Sequence, residues 1–179
     1  MLEILLISGS LRDASSNSAL LRTAGALASD GVRGVAYGGM GDLPHFNPDD
    51  DHDPLPQSVV DLRQQIERAA ALLICTPEYA GALPGSFKNL LDWTVGGTEI
   101  GDKPTAWINV SANATRAANA HASLRLVLAY TGAAIVDEAC AHLPVLPAMI
   151  DENGFIRDVD VRRGITDTLE ALRRRVLAG

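Results

Sequence analysis

Short apolar runs alternate along the whole chain with longer stretches whose apolar residues recur every three or four positions. Leu2–Ile7 is almost continuously apolar, which predicts a strand covered on both faces. Asn17–Ser29 follows with Leu20, Leu21, Ala24 and Leu27 at helical spacing, and Val32–Tyr37 reads as a weaker second strand. Gln57–Ala70 repeats the helical pattern through Val59, Val60, Leu62 and Ile66, and Ala71–Thr76 is a third apolar run. Pro84–Thr94 predicts a helix with proline near its start, where a missing N–H costs nothing. Thr105–Val110 predicts a fourth strand, Arg116–Thr131 a long helix, Ala133–Asp137 a fifth strand and Val159–Leu177 a closing amphipathic helix. Repeated strand–helix alternation implies a parallel sheet with helices on both faces. No repeat, low-complexity tract or linker divides the chain, so residues 1–179 read as one domain.

Sheets of this kind bind ligands beyond the carboxyl ends of their strands. The loops to inspect are therefore Ser8–Ser18, Pro77–Leu83 and Ser111–Thr115. The first reads Ser8-Gly9-Ser10-Leu11-Arg12-Asp13-Ala14-Ser15-Ser16-Asn17-Ser18. It sets hydroxyls, an amide and a guanidinium just before a helix N-terminus, where unpaired N–H groups and a partial positive charge favour an anion. Gly9 leaves room for close backbone approach, and Arg12 can present two parallel donors. Neither G-x-x-x-x-G-K-[ST] nor G-x-G-x-x-G follows a strand, so a phosphomonoester held by hydroxyls and amides is the remaining chemistry. The alternative is that Ser15, Ser16 or Asn17 merely caps the helix. Capping needs one such residue and leaves Ser8, Ser10 and Arg12 without a role.

The second loop reads Thr76-Pro77-Glu78-Tyr79-Ala80-Gly81-Ala82-Leu83-Pro84-Gly85. Two prolines stiffen its entry and exit. A rigid turn carrying exposed backbone N–H groups and Tyr79 suits a flat polar ring system. A plain tight turn, with Tyr79 facing solvent and Trp93 facing the core, is the alternative.

Taken together, Gly9-Ser10-Leu11-Arg12-x-x-Ser15-x-Asn17 and Thr76-Pro77-Glu78-Tyr79-x-x-x-x-Pro84-Gly85-x-x-Lys88-Asn89-x-x-Asp92-Trp93 resemble the NAD(P)H-dependent FMN reductase family, which includes flavodoxin-like quinone, azo-dye and chromate reductases. Leu43-Pro44-His45-Phe46-Asn47-Pro48-Asp49 is similar to that family's second loop. The resemblance implies a flavodoxin-like three-layer α/β sandwich, strand order 2-1-3-4-5, binding FMN non-covalently with NAD(P)H as co-substrate. It would assign Ser10, Arg12, Ser15 and Asn17 to the FMN phosphate, with Ser16 and Ser18 adding backbone or cap contacts. Pro77, Glu78 and Tyr79 would line the isoalloxazine, and Ser111 would donate to its edge. It also implies a homodimer or homotetramer. The loop after the fourth strand departs from the family's Gly-rich pattern: it reads Ser111-Ala112-Asn113-Ala114-Thr115-Arg116-Ala117-Ala118, without glycine.

Composition narrows the rest. Of 179 residues 47% are hydrophobic and 21% charged, which excludes a disordered chain. The net charge of −7, with Lys88 and Lys103 the only lysines, argues against a nucleic-acid partner. No stretch reaches the roughly 18 uninterrupted apolar residues of a membrane span. Cys75 and Cys140 form no CxxC pair, and a reducing cytoplasm is the expected compartment. Asp49-Asp50-Asp51-His52-Asp53 reads as a solvated acidic loop, since consecutive side chains cannot converge on one ion. His45, His52, His121 and His142 lack zinc-ligand spacing.

No side chain is assigned as catalytic, because a flavin carries its own hydride chemistry. The expected function is an FMN-dependent NAD(P)H oxidoreductase serving a small oxidised acceptor: a quinone, flavin, azo compound or metal oxyanion. A flavodoxin-type carrier reduced by a partner protein, and a non-catalytic ligand-binding module, stay open as alternatives. Turnover of NAD(P)H separates the first two, and uptake of FMN separates the third.

Overall fold

A computed structural model describes residues 1–28, 31–113 and 115–179. Its strands are β1 (Leu2–Ser8), β2 (Val32–Ala36), β3 (Ala71–Cys75), β4 (Pro104–Asn109), β5 (Ala134–Ile135) and β6 (Ala141–His142). Its helices are α1 (Ser16–Leu27), α2 (Gln57–Arg68), α3 (Gly85–Asp92), α4 (Ala118–Tyr130) and α5 (Val159–Ala178). The strand order is β2-β1-β3-β4-β5, every pairing parallel. That order, with helices on both faces, defines a flavodoxin-like α/β fold. The expected end of the first helix at Ser29 lies outside the described residues.

Alternation along the strands sorts the core into two halves. Ile4 and Leu6 of β1, Leu73 and Cys75 of β3, and Ala106 and Ile108 of β4 face one side. There they meet Leu20, Leu21 and Ala24 of α1 and Ile165, Leu169 and Leu172 of α5. Leu5, Ile7, Leu72, Ile74 and Trp107 face the other side, against Leu62 and Ile66 of α2, Phe87 and Leu90 of α3, and Leu124 and Leu128 of α4. All of β3 is buried, as its unbroken apolar run requires of a central strand.

Three expectations change. The fifth strand is not the single run Ala133–Asp137. β4 positions 104 and 105 face 134 and 135, whereas 108 and 109 face 141 and 142. Two residues of β4 therefore lie opposite five of the edge chain, and the excess forms a 3-10 turn at Asp137–Ala139. Arg116 lies ahead of α4 rather than within it. The acidic loop is not fully solvated: Asp51 pairs with Arg63 at 2.6 Å, and the two side chains are 10% and 11% exposed. Arg63 also donates to the Trp93 carbonyl through Nε at 3.1 Å and Nη2 at 2.9 Å, so Asp51 completes a link from α2 to the end of α3. Among the described residues no group of three His, Cys, Asp or Glu side chains could hold a metal ion, and no helix is long and apolar enough to cross a membrane.

Trp93 is fully buried, its Nε1 donating to the Pro44 carbonyl at 2.8 Å and its ring meeting Phe46 edge-on at 5.1 Å. Asn89 holds the same segment twice: Nδ2 donates to Pro44 O at 2.9 Å, and Oδ1 accepts from Phe46 N–H at 2.7 Å. These residues secure the segment after β2 against α3.

Candidate functional site

The carboxyl ends of β1, β3 and β4 open onto two adjoining clefts, of about 760 and 410 Å3. Both are lined by Ser16, Asn17 and Pro77, so together they form one groove. The larger part runs between the loop after β1, Tyr79 and segment 147–154. The smaller lies between Thr76–Glu78 and the loop after β4.

At the groove's wider end stands the N-terminus of α1. Ser15 caps it, accepting from Ser18 N–H at 3.1 Å. The Ser18 hydroxyl donates to Arg12 O at 3.1 Å, which leaves the Ser15 hydroxyl to donate to Ser18 Oγ at 2.9 Å. The Ser15 and Ser18 hydroxyls thus hold the loop's own shape. What remains open is the backbone: among the described residues the N–H groups of Ser16 and Asn17 have no protein acceptor. Arg12 is exposed on this cleft and makes no ion pair among the described residues. Arg22 adds a second cation, with Nη1 donating to Asn153 O at 3.1 Å. Asp13, Asp151 and Glu152 line the same space, but Asp151 is occupied. Its carboxylate accepts from the N–H groups of Phe155 and Asn153, both at 2.9 Å; chiefly the bond from Phe155 holds it below the usual carboxylate range.

Ser10 is buried at the base of this loop. Its hydroxyl accepts from Arg12 N–H at 3.2 Å and lies 3.5 Å from the Tyr79 hydroxyl, which joins the first loop to the second. Ser8 is spent locally, bonded to the N–H and carbonyl of Ser10. Gly9 serves a close approach, though to protein: a Cβ here would strike Thr76, with the Thr76 Cα at 2.9 Å.

The turn after β3 is a two-residue hairpin. Tyr79 and Ala82 exchange N–H···O bonds of 3.0 Å, and Ala80 and Gly81 both have positive φ, 50° and 75°. Tyr79 is half exposed at its rim. Glu78 points away from solvent to the start of α4, where its Oε2 accepts from Ala120 N–H at 3.0 Å. Ala117, just before α4, has no capping side chain, so Glu78 supplies the missing acceptor from another loop.

The glycine-free loop after β4 is held by side chains. Asn109 accepts from Ser111 N–H at 2.9 Å and donates to Arg116 O at 3.2 Å. His142 Nε2 donates to Ser111 O at 2.9 Å. The Ser111 hydroxyl lies 2.7 Å from Arg116 O and 3.0 Å from Asn113 O, so its proton is committed within the loop. Ser111 lines the groove and offers lone pairs there. Ala117 has φ 63°, in the left-handed region where glycine costs least. Its carbonyl accepts from buried His121 Nδ1 at 2.7 Å, leaving Nε2 unprotonated and sealed without a partner. Burial pushes the His121 pKa below its ordinary 6.5. A depressed pKa contributes stability that is present above pH 6.5 and is lost as pH falls toward the folded-state value. Acid titration of unfolding free energy should therefore show a loss beginning below about pH 6.5 that His121→Phe flattens.

The structure therefore brings Arg12, Ser15, Ser16, Asn17, Pro77 and Tyr79 onto the wider cleft, and Glu78 and Ser111 onto the narrower one, with Ser16, Asn17 and Pro77 shared. Ser10 and Ser18 lie behind the groove wall, against a smaller cavity beside Tyr37 and Met40. The sequence reading missed Thr76, Asn109, Ala117, Val145 and segment 147–154. That segment has no helical or alternating pattern and meets α1 through contacts such as Arg22 Nη1 to Asn153 O at 3.1 Å.

A flavodoxin-like sheet with a groove at its strand ends, floored by a helix N-terminus and walled by a proline-stiffened turn, defines the class: a ligand-binding α/β protein suited to a phosphorylated planar cofactor. Residues 2–144 match the family model for NADPH-dependent FMN reductase, and the chain belongs to that family. It is 35% identical over 165 residues to a 2-hydroxy-1,4-benzoquinone reductase from Burkholderia sp., covering 90% of this chain and 89% of that one. It is 32% identical over 174 residues to an NAD(P)H-dependent FMN reductase of Pseudomonas aeruginosa, covering 96% and 94%. Among solved structures it is similar to FerB, a flavoenzyme NAD(P)H:(acceptor) oxidoreductase from Paracoccus denitrificans. That match has a TM-score of 0.83 and 28% identity, covering 97% of this chain and 98% of that one.

Proposed function

We propose that this chain uses FMN to pass electrons from NAD(P)H to a small oxidised acceptor of the quinone class. The observation that carries the reading is the pair of N–H groups, Ser16 and Asn17, without an acceptor among the described residues and opening onto a groove that continues to the Pro77–Tyr79 turn. The donor set fits a phosphomonoester: two backbone donors, a helix N-terminus, and the guanidinium of Arg12. Ser15 and Ser18 shape that cradle, and Ser10 links it to Tyr79. Pro77, Glu78 and Tyr79 would line the ring system, and Ser111 would border it through its backbone or lone pairs. Bound FMN supplies the hydride and electron transfer. The protein's part is to orient, to exclude water and to hold donors where negative charge develops. The quinone class is supported by the Burkholderia relative named above. A homodimer or homotetramer in a reducing cytoplasm completes the reading, and sedimentation analysis tests the assembly.

Anaerobic titration of the FMN-loaded protein with NADH and NADPH tests the function. The expected result is bleaching of the flavin band by at least one nucleotide and its return on adding a benzoquinone. FMN bound but not bleached would indicate a carrier, and no FMN uptake would overturn the reading. A charge-assisted hydrogen bond contributes about 1.5–3 kcal/mol. Arg12→Ala should therefore weaken FMN binding roughly 10- to 100-fold, measured by quenching of flavin fluorescence.

A further inference from the structure

Asn17 is the second residue of α1 and is buried, yet it lines both parts of the groove. Its side-chain amide can face the groove in two ways. With Nδ2 outward it offers a donor to an anion; flipped by 180° it would present the carbonyl oxygen, which repels one. One neighbour decides between them. Cys75, the last residue of β3, is fully buried, and its thiol donates to Asn17 Oδ1 at 3.1 Å. Among the described residues Nδ2 has no protein acceptor, and it is not sealed from solvent.

We propose that Cys75 is a positioning residue: its S–H anchors Asn17 Oδ1 inward so that Nδ2 faces the groove as a donor to the phosphate of the bound cofactor. The inference rests on the FMN reading above and deepens it. A thiol suits the task because it is small enough for the packed end of a central strand and has one proton to give. Burial raises its pKa, so the proton stays on sulfur across the physiological range. A hydrophobic residue of similar size would fill the same space and leave the amide free to turn. Cys75 contacts no ligand in this account, and its effect travels through Asn17 alone.

The phosphate makes the test specific, because riboflavin is FMN without it. Apo-protein is titrated with FMN and with riboflavin by fluorescence, for the wild type, Cys75→Val, Cys75→Ser and Asn17→Ala. A neutral hydrogen bond lost to the phosphate lowers affinity about threefold to tenfold. Cys75→Val should lower FMN affinity by that factor while leaving riboflavin affinity unchanged, and Cys75→Ser, which keeps a donor, should restore FMN binding to within about twofold of wild type. Asn17→Ala should lose FMN affinity at least as far as Cys75→Val. Equal losses for FMN and riboflavin in Cys75→Val, or no rescue by serine, would overturn the positioning role while Asn17→Ala kept its selective loss. If Asn17→Ala does not change the ratio of FMN to riboflavin affinity, the phosphate contact itself is wrong and the inference falls with it.

Discussion

Replacing Gly9 by alanine should separate the two loops that frame the groove. The added Cβ meets the Thr76 side chain and stands 2.9 Å from the Thr76 Cα, so a rotamer change alone does not relieve it. Gly9 N–H also donates to Cys75 O at 2.9 Å, pinning the start of the first loop to the end of β3. Overpacking of this kind costs typically about 1–3 kcal/mol, and the backbone contact here points to the upper end. The same displacement moves the N-terminus of α1 away from Pro77, so FMN affinity should fall at least about tenfold, or 1.4 kcal/mol. Urea unfolding and flavin titration of Gly9→Ala measure the two effects. The double variant Gly9→Ala/Thr76→Gly should recover part of both, because it removes the side-chain clash but not the close Cα.

A larger loss of stability is expected at Trp93. Its ring is completely buried between α3 and the segment after β2, and its indole N–H has the Pro44 carbonyl as partner. Truncation of a buried tryptophan to alanine costs about 3–5 kcal/mol. A domain of this size is stable by only about 5–15 kcal/mol in total. Trp93→Ala should therefore sit near its unfolding threshold at ambient temperature, with a much lower midpoint in denaturant. Trp93→Phe keeps most of the apolar area and loses the hydrogen bond, so it should lose about 1–3 kcal/mol. A loss below about 1 kcal/mol for the alanine variant would show that the segment after β2 does not depend on this anchor.

The layers of this fold were readable because buried central strands and two-sided helices leave periodic traces. Leu2–Ser8 and Ala71–Cys75 lie within a residue of where their apolar runs predict them, and α2 begins at Gln57 as expected. The helix N-terminus after the first loop was legible too, for α1 begins at Ser16 with Ser15 as its cap. The division of labour within that loop was not, since a serine that caps and a serine that binds are the same letter. Ser15 and Ser18 bond to each other and Ser18 to Arg12 O, and two of the open donors are the main-chain N–H groups of Ser16 and Asn17, which composition cannot reveal. The loop after β4 shows the opposite limit. It lacks the glycine of the family pattern, yet Ala117 takes the left-handed conformation that favours glycine, held by His121 four residues on. Asp51 misled for a similar reason: a run of acids reads as solvated until Arg63, twelve residues away, is seen beneath it.

The interruption between β5 and β6 has a consequence for how copies of this chain meet one another. A free sheet edge is a template: a row of evenly spaced N–H and C=O groups invites any extended segment to add as one more strand. Here that edge offers two residues of regular strand, then a 3-10 turn that swings the backbone out of register, then two more. An incoming strand would find no continuous ladder there, and Glu138, exposed on the turn, would bring a carboxylate against it. The insertion thus works as a stop at the end of the sheet, turning away edge-to-edge stacking and the fibrous association it can seed.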